Sequence, residues 1–398
     1  LFRSNFRKLF IVSYCMLSML SAHAFPQSKD SAQLPLRIAV VAPFYIDSAF
    51  SGNIYRLGNT KISKFFLPGL EFYNGINMAI DSLKKEGLNF EVSIFDLRKK
   101  GQSLQQLTTA MESSNYSLVL GSFGNATEQK ALADYGNKNQ VPIISITYPN
   151  DGGIVNNPFF YLLNPTWQTH VDALGGYISN HYNGKKILMV TKSGVLESKI
   201  TNLVKQKSGS LIGNAETLVL PTIENATDTL RYFLDSTREN IIVCGSFDEG
   251  WAKHLIASLN NLGENYACTL VGLPNWSSMS EVKGKYSKNL QMVISSPFNY
   301  SKSDARMSRI SDAYKARFYA RPSDMVYKGY EAMYHFTRLL LSDPANFINA
   351  MSSSYAKVFS EYDFKAVSGS TPTPKYFENK KIYFYKYMNG ELKEVSLW

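Results

Sequence analysis

Short apolar runs alternate along the chain with longer segments whose apolar positions recur at helical spacing. Arg37-Ile-Ala-Val-Val-Ala-Pro-Phe44 reads as a buried strand. From Leu67 to Leu83, Phe72, Ile76 and Ile80 recur at i+4 with Ala79 and Leu83 beside them. That spacing predicts an amphipathic helix, ended by Gly87. Strands are predicted next at Phe90 to Asp96, Tyr116 to Gly121 and Val141 to Thr147. Helices at Leu104 to Met111 and Glu128 to Asn137 separate them. The pattern then restarts. A helix from Trp167 to His181 leads into strands at Lys186 to Val190, Thr217 to Leu220, Asn240 to Cys244 and Thr269 to Gly272, with helices between them. Asn289 to Pro297 reads as a strand leading back out of this second series.

Two further helices follow. Met307, Ile310, Tyr314 and Phe318 mark one face of the first, which Arg321-Pro322 ends. Val326, Tyr330, Met333 and Thr337 are spaced helically in the second, from about Asp324 to Leu341. Lys380 to Gly390 alternates up to an Asn-Gly turn and Glu391 to Val395 returns, a hairpin signal. Ser342 to Phe377 is rich in Ser and Pro and gives no clear element. Alternating strand and helix predicts parallel sheets covered on both faces. The expected fold is therefore α/β, with two doubly wound parallel-sheet lobes joined by multiple hinge crossings. Residues 37–163 and 298–345 are assigned to lobe one, and 164–297 and 346–398 to lobe two.

The N-terminus changes the picture. Arg3, Arg7 and Lys8 precede the apolar stretch Leu9 to Leu20, and Ala22-His-Ala24 is a small-x-small cleavage pattern. Residues 1–24 are expected to be a signal peptide cleaved after Ala24, and 25–36 a polar leader, giving an exported, periplasmic protein. Tyr14 before Cys15 is bulky where lipid attachment needs a small residue, so no lipid anchor is expected. The 374 residues after Ala24 exceed one ordinary core, which agrees with two lobes. The formal charge of +10 falls to +7 without Arg3, Arg7 and Lys8, and the excess is scattered. A soluble basic surface or a mild preference for anions fits this, and nucleic-acid binding does not. Cys244 and Cys268 each sit in an apolar run and read as packed thiols, although an exported chain permits a bridge. The histidines are too dispersed for a metal site, and neither metal nor cofactor is expected.

In parallel α/β sheets the ligand site lies beyond the carboxyl ends of the strands. Two facing lobes would line one cleft there and close by hinge motion. The candidate ligand-binding positions are Tyr45, Asn125, Ala126, Thr127, Thr147 and Tyr148 from lobe one. Lobe two offers Ser193 beside Lys192, then Phe247, Asp248, Glu249, Asn275 and Trp276. Asn125 to Thr127 opens a helix, where backbone N–H groups and the Thr127 hydroxyl can hold an anion or merely cap the helix. Tyr148 and Trp276 can wall a ligand or pack on neighbouring loops. Asp248 and Glu249 can recognise an ammonium or compensate a helix dipole.

The chain resembles the type I periplasmic solute-binding proteins, in the leucine/isoleucine/valine-binding branch. The resemblance spans nearly all of the chain after the signal. It rests on Ile38-Ala-Val-Val-Ala-Pro43, on Gly75 within its helix, and on Leu118-Val-Leu-Gly121 followed by Asn125-Ala-Thr127. Gln140-Val-Pro-Ile-Ile-Ser145, the crossing-like Asn157-Pro-Phe-Phe-Tyr-Leu-Leu-Asn-Pro165 and Lys328-Gly-Tyr-Glu-Ala332 complete it. The insertion from Tyr45 to Phe66 is similar to that of an exported subgroup sometimes fused to peptidoglycan-binding repeats. The resemblance implies that Asn125 to Thr127 would hold a ligand carboxylate. It also implies an acid for the ligand's ammonium in the loop after the fourth strand of lobe two. Here that loop is Gly272-Leu-Pro-Asn-Trp276, with no acid. A free amino acid then needs Asp248 or Glu249 as a substitute, because a buried ammonium without a partner costs several kcal/mol.

Enzyme classes find little support. The chain has no Gly-x-Ser-x-Gly elbow, P-loop, dinucleotide glycine motif or His-Glu-x-x-His helix, and no catalytic residue is assigned. The leading expectation is a monomeric protein that captures a small polar organic ligand between its lobes, for an inner-membrane permease of the ABC type. The alternative is a non-transport envelope interaction or regulatory protein on the same fold, such as a peptidoglycan-synthesis accessory with a peptidoglycan-associated partner.

Overall fold

The computed structural model describes residues 35–398 except 59–61, 210–214, 223–225, 285, 287–288, 301–303 and 398. The expected signal peptide, and the leader as far as residue 34, lie outside the described residues. Among the described residues no helix is long and apolar enough to cross a membrane.

Two seven-stranded sheets lie between Leu36 and Leu397. The first runs Phe364–Val367, Tyr376–Asn379, Phe160–Leu162, Ile143–Ser145, Leu118–Gly121, Leu36–Ala42, Phe90–Asp96. All neighbours in it are parallel except the outermost pair, Phe364–Val367 with Tyr376–Asn379. The second runs Glu391–Leu397, Tyr383–Met388, Leu290–Ser296, Cys268–Val271, Asn240–Cys244, Lys186–Thr191, Glu216–Val219. Its antiparallel part is the C-terminal hairpin, which pairs with Leu290–Ser296. This is the expected pair of parallel-sheet-rich α/β lobes.

The period-two alternation of the opening strand divides the first core. Ile38, Val40 and Ala42 face a cluster with Phe72, Ile76, Met333 and Phe336. Ala39 and Val41 face the opposite cluster with Leu107, Met111 and Leu132. The helix Leu67–Lys85 therefore buries the stripe that its spacing predicted. It packs against the helix Asp324–Ser342 backbone to backbone. A Cβ on Gly75 would lie 2.1 Å from the Val326 carbonyl oxygen, and one on Gly329 would lie 2.3 Å from that of Phe72. Glu331, two residues beyond Gly329, is fully buried and fastens the helix to a turn. Its carboxylate accepts from the N–H groups of Phe359 (3.0 Å) and Ser360 (2.5 Å) and from the Ser360 hydroxyl (3.0 Å).

The chain passes between the sheets three times: after Leu162, after Ser296, and between Asn379 and Tyr383. The third passage corrects the assignment of 346–398 to lobe two. Phe364–Val367 and Tyr376–Asn379 are hydrogen-bonded into the first sheet, and only the hairpin from Tyr383 belongs to the second. Cys244 and Cys268 are buried free thiols in neighbouring strands, and burial pushes each up to about 12.

Candidate functional site

Between the sheets lies a cleft of about 2420 Å³. Thr147 and Asn150 reach it from beyond the first sheet's strands, and Phe247 and Asn275 from beyond the second's. The crossings form its floor, through Asn164 and the Ser295 to Tyr300 stretch. Thr147 is held by its hydroxyl, which donates to the Phe123 carbonyl (3.1 Å), and by Asn164 Nδ2, which donates to the Thr147 carbonyl (2.7 Å). Asn275 Nδ2 donates to the Phe247 carbonyl (3.0 Å).

Thr147, Phe247 and Asn275 are thus brought to one cleft, whereas the other nine candidates are not among its lining residues. Asn125 is a helix N-cap, its side-chain oxygen accepting from Glu128 N–H (3.0 Å). The anion at this helix start is supplied by the chain itself. Glu128, 2% exposed, accepts from Gly124 N–H (2.9 Å) and Asn125 Nδ2 (2.7 Å), and pairs with the Arg98 guanidinium. Ala126 and Thr127 begin this same helix, and the Thr127 side chain is exposed. Glu128 thus engages two of the donors at this helix start, Gly124 N–H and Asn125 Nδ2, and places a carboxylate where the resemblance implied that of a ligand.

Tyr45 joins the same network. Arg98 Nε donates to its hydroxyl at 3.3 Å, and the ring stands edge-on to Phe65. Tyr45 has a positive φ of 55°, and Asp96 steadies it by accepting from the N–H groups of Phe44, Tyr45 and Ile46. The Tyr45 to Phe66 insertion contains a short helix, Ile46–Ala49, and a two-stranded ribbon of Phe50–Ser51 with Ile54–Tyr55. Tyr148 packs partly buried against the first core.

In the second lobe Asp248 caps its helix through Trp251 N–H (2.9 Å) and pairs with Lys192 at 2.5 Å. Lys192, then that N–H, hold its carboxyl below the usual carboxylate range. A ligand ammonium would have to displace Lys192. Glu249 and Ser193 are exposed. Trp276 overturns its candidacy as a wall, because its ring is fully buried in the second core. A Cβ on Gly272 would lie 2.4 Å from that ring.

The residues that the sequence did not single out are those of the crossings. His170 Nδ1 and Ser295 Oγ are 2.9 Å apart, buried, where the helix Trp167–His181 meets the strand Leu290–Ser296. Burial pushes His170 down to about 3. Glu378, also buried, accepts from Thr166 N–H (2.7 Å), the Thr166 hydroxyl (2.8 Å) and the Thr169 hydroxyl (2.9 Å), and pairs with Lys380 (2.6 Å). It ties the first crossing to the third. The alternation Tyr383, Tyr385, Tyr387 was a visible signal: all three line the cleft. Among the described residues no group of three His, Cys, Asp or Glu side chains is placed to hold a metal ion.

Two facing α/β lobes, three crossings and a cleft at the strand ends define a two-lobed solute-binding architecture of type I. The chain belongs to the periplasmic binding protein family, whose model matches residues 67–377. Solved structures agree on the fold. A putative branched-chain amino acid ABC transporter protein from Rhodospirillum rubrum is similar with a TM-score of 0.64 at 13% identity, over 90% of this chain and 99% of that one. LivJ, the branched-chain amino acid transporter substrate binding protein of Streptococcus pneumoniae, in complex with isoleucine, is similar with a TM-score of 0.55 at 15% identity, over 92% and 99%. An ABC transporter substrate-binding protein from Desulfitobacterium hafniense, in complex with Leu, gives 0.58 at 13%, over 90% and 99%. No curated protein matches the chain significantly.

Proposed function

We propose that this chain is an exported solute-binding protein that captures a small polar organic ligand in the interlobe cleft and presents it to an ABC-type transporter. The observation that carries the reading is the cleft itself, where Thr147, Asn150 and Asn164 stand with Phe247 and Asn275 from the facing lobe. A ligand touching both sides binds the closed form more tightly than the open one, and that difference drives closure without any bond being made or broken. Similar structures hold isoleucine or leucine. A free amino acid held by its carboxylate at the helix start and by its ammonium at Asp248 is disfavoured here, since Glu128 places a carboxylate at that start and Lys192 engages Asp248. The exposed apolar side chains Ile46, Ile54, Ile62 and Phe65 of the insertion support the second reading, an envelope interaction protein on the same fold.

The test is native mass spectrometry of gently purified protein, followed by a thermal-shift screen of amino acids, muropeptides and sugars. A copurifying small molecule, or a solute that raises the melting temperature, is expected. If neither is found, the transport reading fails. Asn275→Ala combined with Thr147→Val should weaken any hit at least about tenfold, roughly 1.4 kcal/mol. An unchanged affinity would move the site elsewhere in the cleft.

A further inference from the structure

The cleft extends past the strand ends, along the second crossing and over the C-terminal hairpin, and there its wall becomes aromatic. Phe298, Tyr300, Tyr327, Tyr385 and Tyr387 all line it. Lys328 sits among these rings, its Nζ 4.8 Å from the centre of the Phe298 ring. Three other lysines line the cleft and each has a carboxylate: Lys315 with Asp312, Lys357 with Glu361, and Lys393 with Glu391. Lys328 has none within ion-pair distance among the described residues, and residues 301–303 beside Tyr300 are Ser, Lys and Ser. Burial pushes its ammonium below the usual lysine range, with Asp324 opposing from a distance.

A second donor lies in the same cluster. The Tyr300 ring stacks on Phe298 at 5.4 Å, and its buried hydroxyl has no hydrogen-bond partner among the described residues. Desolvated donors without acceptors cost free energy that a protein does not ordinarily leave uncompensated. Tyr385, fixed through its hydroxyl to the Phe298 carbonyl and to Tyr300 N–H (2.6 Å), makes the wall rigid.

We propose that Lys328 and Tyr300 form a subsite for the carboxylate of an organic monoanion whose flat carbon body lies against the Phe298 and Tyr385 rings. One ammonium balances one carboxylate. A phosphate ester, carrying more charge, would meet Asp304 and Asp324, which line the same stretch. Planar apolar bodies pack well on such rings, by offset stacking or edge-to-face contact. The subsite rests on the reading of the cleft as a ligand site, and it places the ligand's negative end at the crossings instead of the helix start that Glu128 fills.

The test is calorimetric titration of wild type and Lys328→Met with 4-hydroxyphenylacetate and its neutral amide. Wild type should bind the acid at least tenfold more tightly than the amide, and the variant should lose that preference while still binding both weakly. Without ligand, Lys328→Met should melt at the same temperature as wild type or higher, since it removes a desolvated charge that no carboxylate among the described residues pairs. The proposal is overturned if wild type binds acid and amide alike, if it binds neither at millimolar concentration, or if the variant keeps the preference. X-ray scattering with the copurified solute separates the two readings. If that solute still compacts the protein while Lys328 proves indifferent to carboxylates, the subsite falls and the cleft stands. If the solute compacts neither protein, the cleft reading falls as well.

Discussion

Arg98 and Glu128 show how a surface-facing helix start can become a closed structural unit. The carboxylate is almost fully buried, and among the described residues the guanidinium and two local donors compensate it. Removing one member of a buried pair typically costs about 3–5 kcal/mol, because the other is left charged and desolvated. Arg98→Met is therefore expected to lower unfolding free energy by that order in denaturant titration. The double variant Arg98→Met with Glu128→Gln should recover most of it, and failure to recover would show that Arg98 acts through packing alone. Asn125→Ala should cost only about 1 kcal/mol, the ordinary value of a cap. The Asn-x-x-Glu spacing of the cap was legible in the sequence. Arg98 was not, because it arrives from a separate loop only when Phe90–Asp96 docks beside Leu36–Ala42.

At the scale of elements, the helices Leu67–Lys85 and Asp324–Ser342 are the best case for reading structure from pattern, since each buries one continuous stripe. Their mutual approach was invisible in either stripe. It depends on Gly75 and Gly329, two positions at which a single added methyl would strike the opposing backbone. Backbone cannot rotate away as a side chain can. Gly329→Ala should therefore destabilise by about 1–3 kcal/mol, the usual range for overpacking, read as a shifted denaturation midpoint with unchanged slope. A neutral outcome would mean that the helices separate freely. The strands Phe364–Val367 and Tyr376–Asn379 escaped the sequence because they are short and lie among Ser and Pro, and because the second joins the sheet through Phe160–Leu162, about 200 residues earlier.

For the whole molecule, acid is the informative stress. His170 and His335 are both buried, and burial holds them neutral, down to about 3 and about 4. In the unfolded chain each takes up a proton near pH 6.5. Between that pH and about 4 the unfolded state binds more protons than the folded one, so stability falls as pH falls and is complete above about 6.5. Each histidine contributes a slope of about 1.4 kcal/mol per pH unit in that window. Melting temperature measured from pH 7 to 4 should decline steeply, and His335→Leu should flatten the decline. A variant profile parallel to wild type would remove His335 from the account. The cleft, too, is a property of the whole. Strand ends could be listed from the sequence, yet of the twelve candidates only Thr147, Phe247 and Asn275 reach it, because much of its lining comes from crossings, helices and the C-terminal hairpin, whose juxtaposition no local pattern encodes. One of those crossings bears on how the molecule can move. Glu378 fastens the outgoing chain at Thr166 and Thr169 to the returning chain at Lys380, so two of the three tethers form a single plate. Tyr385, just beyond the returning chain, also holds the second crossing at the Phe298 carbonyl and Tyr300 N–H, so all three tethers are linked, as hinges are along one jamb. Tethers joined in this way would favour swinging about one axis over sliding or twisting, which leaves the opening angle as the main freedom between the sheets.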